Sequence, residues 1–193
     1  TLTLKEQNRN QLTFGAGVTS LTFPVPILND SAPEGNERFQ VVLSNPSAGA
    51  RLGSPTTSTV TVLDDEVVLQ FDTTSYTVSE DGGKATITVE RSGPLGSTVK
   101  VQYATSNGSA NGAVVAGPGV DYITATGTLT FGPTVTKQTI TVTVLNDFAI
   151  KPDETVIFAL SNPELVTGTG TAPILGPRNP ATLTITNDDK AGT

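Results

Sequence analysis

The chain has 193 residues, a net charge of −7, and no His, Cys, Met or Trp. Those absences exclude Ser-His-Asp and Cys-His catalysis, His- or Cys-bearing zinc sites, iron–sulfur clusters and any disulfide framework, and the acidic balance argues against nucleic acid and anionic lipid as partners. For a metal there remain carboxylate, amide and carbonyl oxygens, the ligands of calcium and magnesium. No apolar run approaches the roughly 18–20 residues that cross a bilayer, so no membrane insertion is expected. No signal peptide is visible, and the missing initiator Met points to a processed or excised chain.

Along the chain the apolar residues recur with a period of two. Residues 1–66 read as about three or four strands, closing on Thr59-Val-Thr-Val-Leu-Asp-Asp-Glu66. From Val67 onward about seven strands follow, roughly 67–78, 84–91, 98–105, 120–131, 136–145, 154–161 and 181–187. Lys84-Ala-Thr-Ile-Thr-Val-Glu90 and Gln138-Thr-Ile-Thr-Val-Thr-Val-Leu145 show the pattern: Ile, Val or Leu toward a core, Thr, Lys or Gln toward water. Turn clusters such as Asp81-Gly-Gly83, Ser92-Gly-Pro94, Asn107-Gly108 and Asn162-Pro163 separate the runs. No window supports an amphipathic helix. The expected fold is all-β, an immunoglobulin-like sandwich of antiparallel sheets packed face to face. The 164–180 stretch, rich in Gly and Pro, reads as a long loop.

Residues 12–46 match 129–163 at 17 of 35 positions, among them Leu28-Asn-Asp30 with Leu145-Asn-Asp147 and Leu43-Ser-Asn-Pro46 with Leu160-Ser-Asn-Pro163. Thr59–Glu66 matches Thr182–Asp189 at a slightly larger offset. So long a period means tandem domains: 1–66, holding the later strands only, and 67–193, complete. Half a sandwich leaves an apolar face bare and strand edges open. Either the chain is cut from a longer array, or another chain supplies the missing strands and builds a head-to-tail filament. The partners expected are therefore neighbouring copies of the chain or adjacent domains. Asp64-Asp65-Glu66 runs straight into Val67 without a Gly/Ser linker, which implies a stiff junction.

The acidic residues gather at strand ends: Asp30, Glu34, Glu37, Asp64, Asp65 and Glu66 in the first copy, and Glu80, Asp81, Asp147, Asp153, Glu154, Asp188 and Asp189 in the second. Converging carboxylates repel one another unless a cation intervenes, and calcium's six to eight oxygens suit such loops; equally, acidic residues can simply solvate turns. Asn29-Asp-Ser31 and Asn107-Gly-Ser109 fit the glycosylation sequon, although Asn107-Gly108 is also a plain turn signal. Tyr76, Tyr103 and Tyr122 are too scattered for a sugar-stacking platform. A carboxylate-pair glycosidase needs a cleft that a small sandwich lacks, so the chain is not read as an enzyme.

Val78-Ser-Glu80, Val101-Gln-Tyr-Ala-Thr105, Gly119-Val-Asp-Tyr122, Gly127-Thr-Leu-Thr-Phe131, Val144-Leu-Asn-Asp147, Asp153-Glu154, Leu160-Ser-Asn-Pro163 and Ile185-Thr-Asn-Asp-Asp189 follow one another in order. In this ordered set the chain resembles the Calx-β domain, and the second half of the pattern recurs in 12–66. The resemblance implies a seven-stranded Greek-key sandwich and a calcium site. Glu80, Asp147, Glu154, Asp188 and Asp189 stand at matching ligand positions, with Asp153 beside them. Asn107, a neutral donor, and Lys151, a cation, stand where the calcium-binding members carry acids, so calcium in 67–193 is expected to be weak or absent. The first copy keeps Glu34 at the position of Lys151. By this resemblance the function is structural or adhesive, on an extracellular or cell-surface protein stiffened by calcium; the cysteine-free composition points to a bacterial surface. A filament subunit and a calcium-sensing regulatory domain are the alternatives.

Overall fold

The structure, a computed structural model, describes residues 11–190. The chain divides into two compact units, Thr1–Asp64 and Asp65–Thr193.

In the first unit β1 (Glu37–Val42) pairs antiparallel with β2 (Thr57–Val62), Glu37 facing Val62. The sequence repeat carries these residues onto Glu154 and Ile185, which face each other in the second unit. Three local details recur with the same offset. Val18 N–H donates to Gly15 O as Val135 N–H does to Gly132 O. Ala32 N–H donates to Asp30 Oδ1 as Ala149 N–H does to Asp147 Oδ1. Asn45 and Asn162 both take the left-handed backbone conformation, at φ 52° and 48°, which Asn tolerates better than most residues. The repeat in sequence is thus a repeat in local structure.

The first unit has two strands among its described residues, fewer than the periodicity predicts. Residues 126–153 of the second unit contain two strands that hydrogen-bond to strands earlier in the chain. Among the described residues of the first unit no counterparts of those earlier strands occur, and a strand without a partner gains no ladder. Accordingly, no described side chain of residues 11–64 is buried; Phe14, Ile27 and Leu28 are 56%, 48% and 84% exposed.

The second unit holds β3 (Val68–Phe71), β4 (Ser75–Ser79), a single 3-10 turn at Glu80–Gly82, β5 (Lys84–Ser92), β6 (Thr98–Asn107), β7 (Gly112–Ala113), β8 (Tyr122–Ile123), β9 (Thr126–Phe131), β10 (Lys137–Thr143), β11 (Glu154–Thr167), β12 (Ile174–Leu175) and β13 (Ala181–Thr186). One sheet runs β10-β5-β3-β12, the other β4-β13-β11-β6-β9, and β7 pairs with β8 in a small ribbon. The run predicted as one strand over 67–78 is two, because the chain leaves one sheet after Phe71 and joins the other at Ser75. The predicted 164–180 loop is also partly strand. β11 resumes pairing with β6 after an irregularity at Asn162-Pro163, and β12 adds in parallel to the edge of β3.

Between the sheets the period-two residues close a single core. Leu69, Phe71, Ile87, Val89, Ile140 and Val142 come from one sheet; Val99, Val101, Phe131, Val156, Phe158, Leu183 and Ile185 come from the other. Phe71 meets Phe158 edge to face with ring centroids 6.4 Å apart, a geometry the ring quadrupoles favour. Truncating a ring so buried typically costs about 3–5 kcal/mol. The core therefore fixes where the strands end, and the acidic residues stand at those ends.

Candidate metal centre

Four strand-end segments deliver carboxylates to one point. Glu80 stands in the 3-10 turn after β4, Asp121 just before β8, Asp147 after β10 and Glu154 at the start of β11. Backbone bonds tie these segments together: Val144 N–H donates to Gly83 O, and Leu145 N–H to Asp121 O. At the centre lies the Lys151 ammonium. Its Nζ is 2.5 Å from Asp121 Oδ1, 3.1 Å from Asp147 Oδ2, 3.1 Å from Glu154 Oε2 and 3.2 Å from Glu80 Oε1.

One ammonium does not neutralise four carboxylates. Burial draws the Lys151 ammonium toward deprotonation, but the four carboxylates outweigh it and hold the charge well above its ordinary range. Burial pushes the Glu154 carboxyl up, partly offset by Lys151. Asp189 is also pushed up, first by desolvation and then by repulsion from Asp188 and Asp147. Asp147 is held low by the Ala149 N–H and then by Lys151. The end of the sandwich therefore keeps surplus negative charge that has lost part of its solvent.

That surplus has a location. Glu80 is only 1% exposed, and its second oxygen, Oε2, is buried without a hydrogen-bond or ion-pair partner. Asp189 Oδ2 and Asn187 Oδ1 are buried and likewise lack hydrogen bonds. Glu80, Asp188 and Asp189 bring one oxygen each within 4.8 Å of one another, as do Glu80, Asp121 and Asp147. An unpaired buried carboxylate oxygen is costly, and the donors here are all oxygen, so the residues fit a hard cation such as calcium.

The remaining predicted residues are placed differently. Asn107 Oδ1 accepts the Tyr122 hydroxyl at 2.8 Å and the Gly112 N–H at 3.0 Å, so its amide fastens the β7–β8 loop. Asp153 Oδ1 accepts the Asn187 N–H, positioning the exit of β13. Asp65 and Glu66 belong to the second unit, at the start of β3. Since Val68 faces Ser92 at one end of β5 while Thr143 faces Lys84 at the other, they lie at the end of the sandwich away from Lys151. In the first unit Glu37 faces Val62, and Asp64 N–H donates to Asn36 Oδ1, so Asn36, Glu37 and Asp64 share one end; Asp30 and Glu34 are exposed. Asp121, the nearest carboxylate to Lys151, was not among the predicted ligands. Its signal was the Gly119-Val-Asp-Tyr122 motif itself.

Fold and site together define a β-sandwich with a cluster of carboxylates gathered around one lysine at one end. The profile of the Calx-beta domain matches residues 6–66 and 63–189, and the chain belongs to that family. It is 34% identical over 140 residues to the human extracellular matrix organizing protein FRAS1, which covers 72% of this chain and 3% of that protein. It is 30% identical over 176 residues to the rat sodium/calcium exchanger 2, covering 82% of this chain and 19% of that protein. The chain thus spans a small part of either relative. Among solved structures, the apo form of the Calx CBD1 domain superposes with a TM-score of 0.54 at 28% identity, covering 64% of this chain and 99% of that one. The Calx CBD2 domain reaches 0.55 at 19% identity, over 64% of this chain and 88% of that one, a likeness of fold.

Proposed function

We propose that the chain is a structural, non-enzymatic module of an extracellular or cell-surface protein, and that a calcium ion bound by Glu80, Asp188 and Asp189 stiffens its second unit. Glu80 carries this reading: a carboxylate removed from water, with one oxygen on Lys151, the other without a hydrogen bond, and an oxygen within 4.8 Å of one from each of the terminal acids Asp188 and Asp189. Calcium there ties the turn after β4 to the exit of β13. Similarity to a named extracellular matrix protein supports the placement outside the cell. Calorimetry tests the metal. The expected affinity is that of extracellular modules, on the order of 0.1–1 mM, and Asp189→Asn is expected to weaken it at least about tenfold, roughly 1.4 kcal/mol. No binding heat at millimolar calcium would overturn the reading, and a submicromolar affinity would favour a sensor.

A second proposal concerns partners. The exposed Phe14, Ile27 and Leu28 and the ladder-free backbone of residues 11–36 favour completion of the first unit by strands of a neighbouring copy or an adjacent domain.

A further inference from the structure

We propose that the second unit is a load-bearing module, and that the parallel ladder between β4 and β13 is the clamp that resists tension along the chain. The inference deepens the reading of the chain as a structural module, and it does not depend on calcium.

Tension enters a unit at one terminus and leaves at the other, so the placement of the terminal strands decides how the load is carried. Asp65 and Glu66 stand at the end of the sandwich away from Lys151, and the terminal acids Asp188 and Asp189 stand at the end that holds Glu80. β3 runs from the entry end toward the acidic end, antiparallel to β5. β4 also ends at the acidic end, where Glu80 follows it, and β13 runs parallel to β4. Pulling the termini apart therefore draws β4 back toward the entry end and β13 out through the acidic end. The two neighbours slide along their own axes in opposite directions.

Five register pairs oppose that sliding, from Ser75 with Thr182 to Ser79 with Thr186. The bonds of a ladder run across its strands, so sliding strains them together, whereas parting the strands from one end breaks them in turn. Two further bonds close the ladder: Thr182 N–H donates to Thr74 O at 2.9 Å, and the Thr186 hydroxyl donates to Val78 O at 3.3 Å. On its other side β13 is held by β11 over five more pairs, Ala181 with Phe158 to Ile185 with Glu154.

The change of sheet after Phe71 is what makes this clamp. It brings the first segment of the unit beside the last, whereas a single strand over 67–78 would keep them in different sheets. The corner between is pinned, because Asp72 N–H donates to Thr88 O at 3.1 Å and the Tyr76 hydroxyl donates to Asp72 Oδ1 at 2.5 Å. Ahead of the corner, β3 must slide past four residues of β5 and two of β12 before the load reaches β4.

Single-molecule force spectroscopy of the full chain in chelator tests the proposal. The chain has no cysteine, so a pair of introduced thiols defines the pulling axis. Leu63→Cys with Lys190→Cys, both at exposed positions, loads the second unit along its strands. Asp81→Cys with Lys190→Cys, again exposed, puts both handles at the acidic end and parts β4 from β13 there. Forced unfolding follows the barrier along the pulled path, so at one loading rate the first axis is expected to need at least about twice the force of the second. Thr182→Pro removes the donor to Thr74 O at the entry end of the ladder. It is expected to lower the force on the first axis by about a fifth or more. The second axis is expected not to change, because parting begins at Ser79 and Thr186. Equal forces along the two axes would overturn the proposal, since overall stability and not ladder direction would then set the force. An unchanged first-axis force in Thr182→Pro would also overturn it, by placing the resistance outside the β4–β13 ladder. Should Thr182→Pro fail to fold, the comparison of the two axes decides. A chain that gives no calcium heat yet shows the expected forces would sink the metal reading and leave the clamp standing.

Discussion

Tyr122 shows how one residue serves core and site together. Its ring is fully buried, its hydroxyl donates to Asn107 Oδ1, and the residue before it is Asp121. A Cβ on Gly112 would lie 2.3 Å from that ring, so only glycine leaves the ring room. Gly112→Ala is therefore expected to cost about 1–3 kcal/mol through overpacking. Tyr122→Phe, which deletes only the hydroxyl, is expected to cost about 1 kcal/mol. Thermal unfolding followed by circular dichroism checks both, and a Gly112→Ala protein as stable as wild type would show that the loop shifts freely. At this scale the sequence was partly legible. Glu80, Asp147, Glu154, Asp188 and Asp189 were readable as acids at strand ends. The hydrogen bonds that turn Asn107 away from the cluster depend on Tyr122 arriving from fifteen residues downstream, and no local pattern encodes that. Lys151 was readable as a cation among acids, but its contact with Asp121 depends on two loops meeting.

The strands of the second unit were legible because half-buried strands alternate, and β5, β10 and β13 keep that alternation through their length. Where strands change sheets or leave the core the signal fails. The break at Asp72–Thr74 lies inside a run that reads as continuous, and β12 is two residues long with neither fully buried. β12 is instead held by backbone bonds: Ile174 N–H donates to Val67 O at 2.8 Å and Gly176 N–H to Leu69 O at 3.0 Å. Such an added edge covers β3, whose Leu69 and Phe71 are central to the core. Ile174→Pro removes one of the two donors. The expected loss is about 1 kcal/mol, with faster amide exchange at Gly176 and faster proteolysis within 168–180. Unaltered exchange at Gly176 would mean that side-chain packing, not the ladder, retains the segment.

Taken whole, the molecule joins two copies of one pattern that differ in how much they bury. The second unit encloses about twenty apolar residues in one cluster; the first buries none among those described, although its β1–β2 register and its turns repeat those of the second. Local structure is thus specified by the repeated motifs, whereas burial requires a facing sheet. Exposed apolar area of this extent drives association when a complementary surface is present, and the backbone of residues 11–36, which joins no ladder, can pair with an incoming strand. Sedimentation velocity of the full chain is therefore expected to show a weight-average coefficient that rises with concentration, while residues 65–193 alone remain a single species. Phe14→Asp together with Leu28→Asp is expected to reduce the association of the full chain, because charge on that surface opposes its burial. High salt separates this from charge-driven contact: screening weakens association between charged patches, whereas apolar association persists. A full chain that sediments as one non-associating species at every concentration would leave the first unit self-sufficient and remove the ground for completion by neighbouring copies.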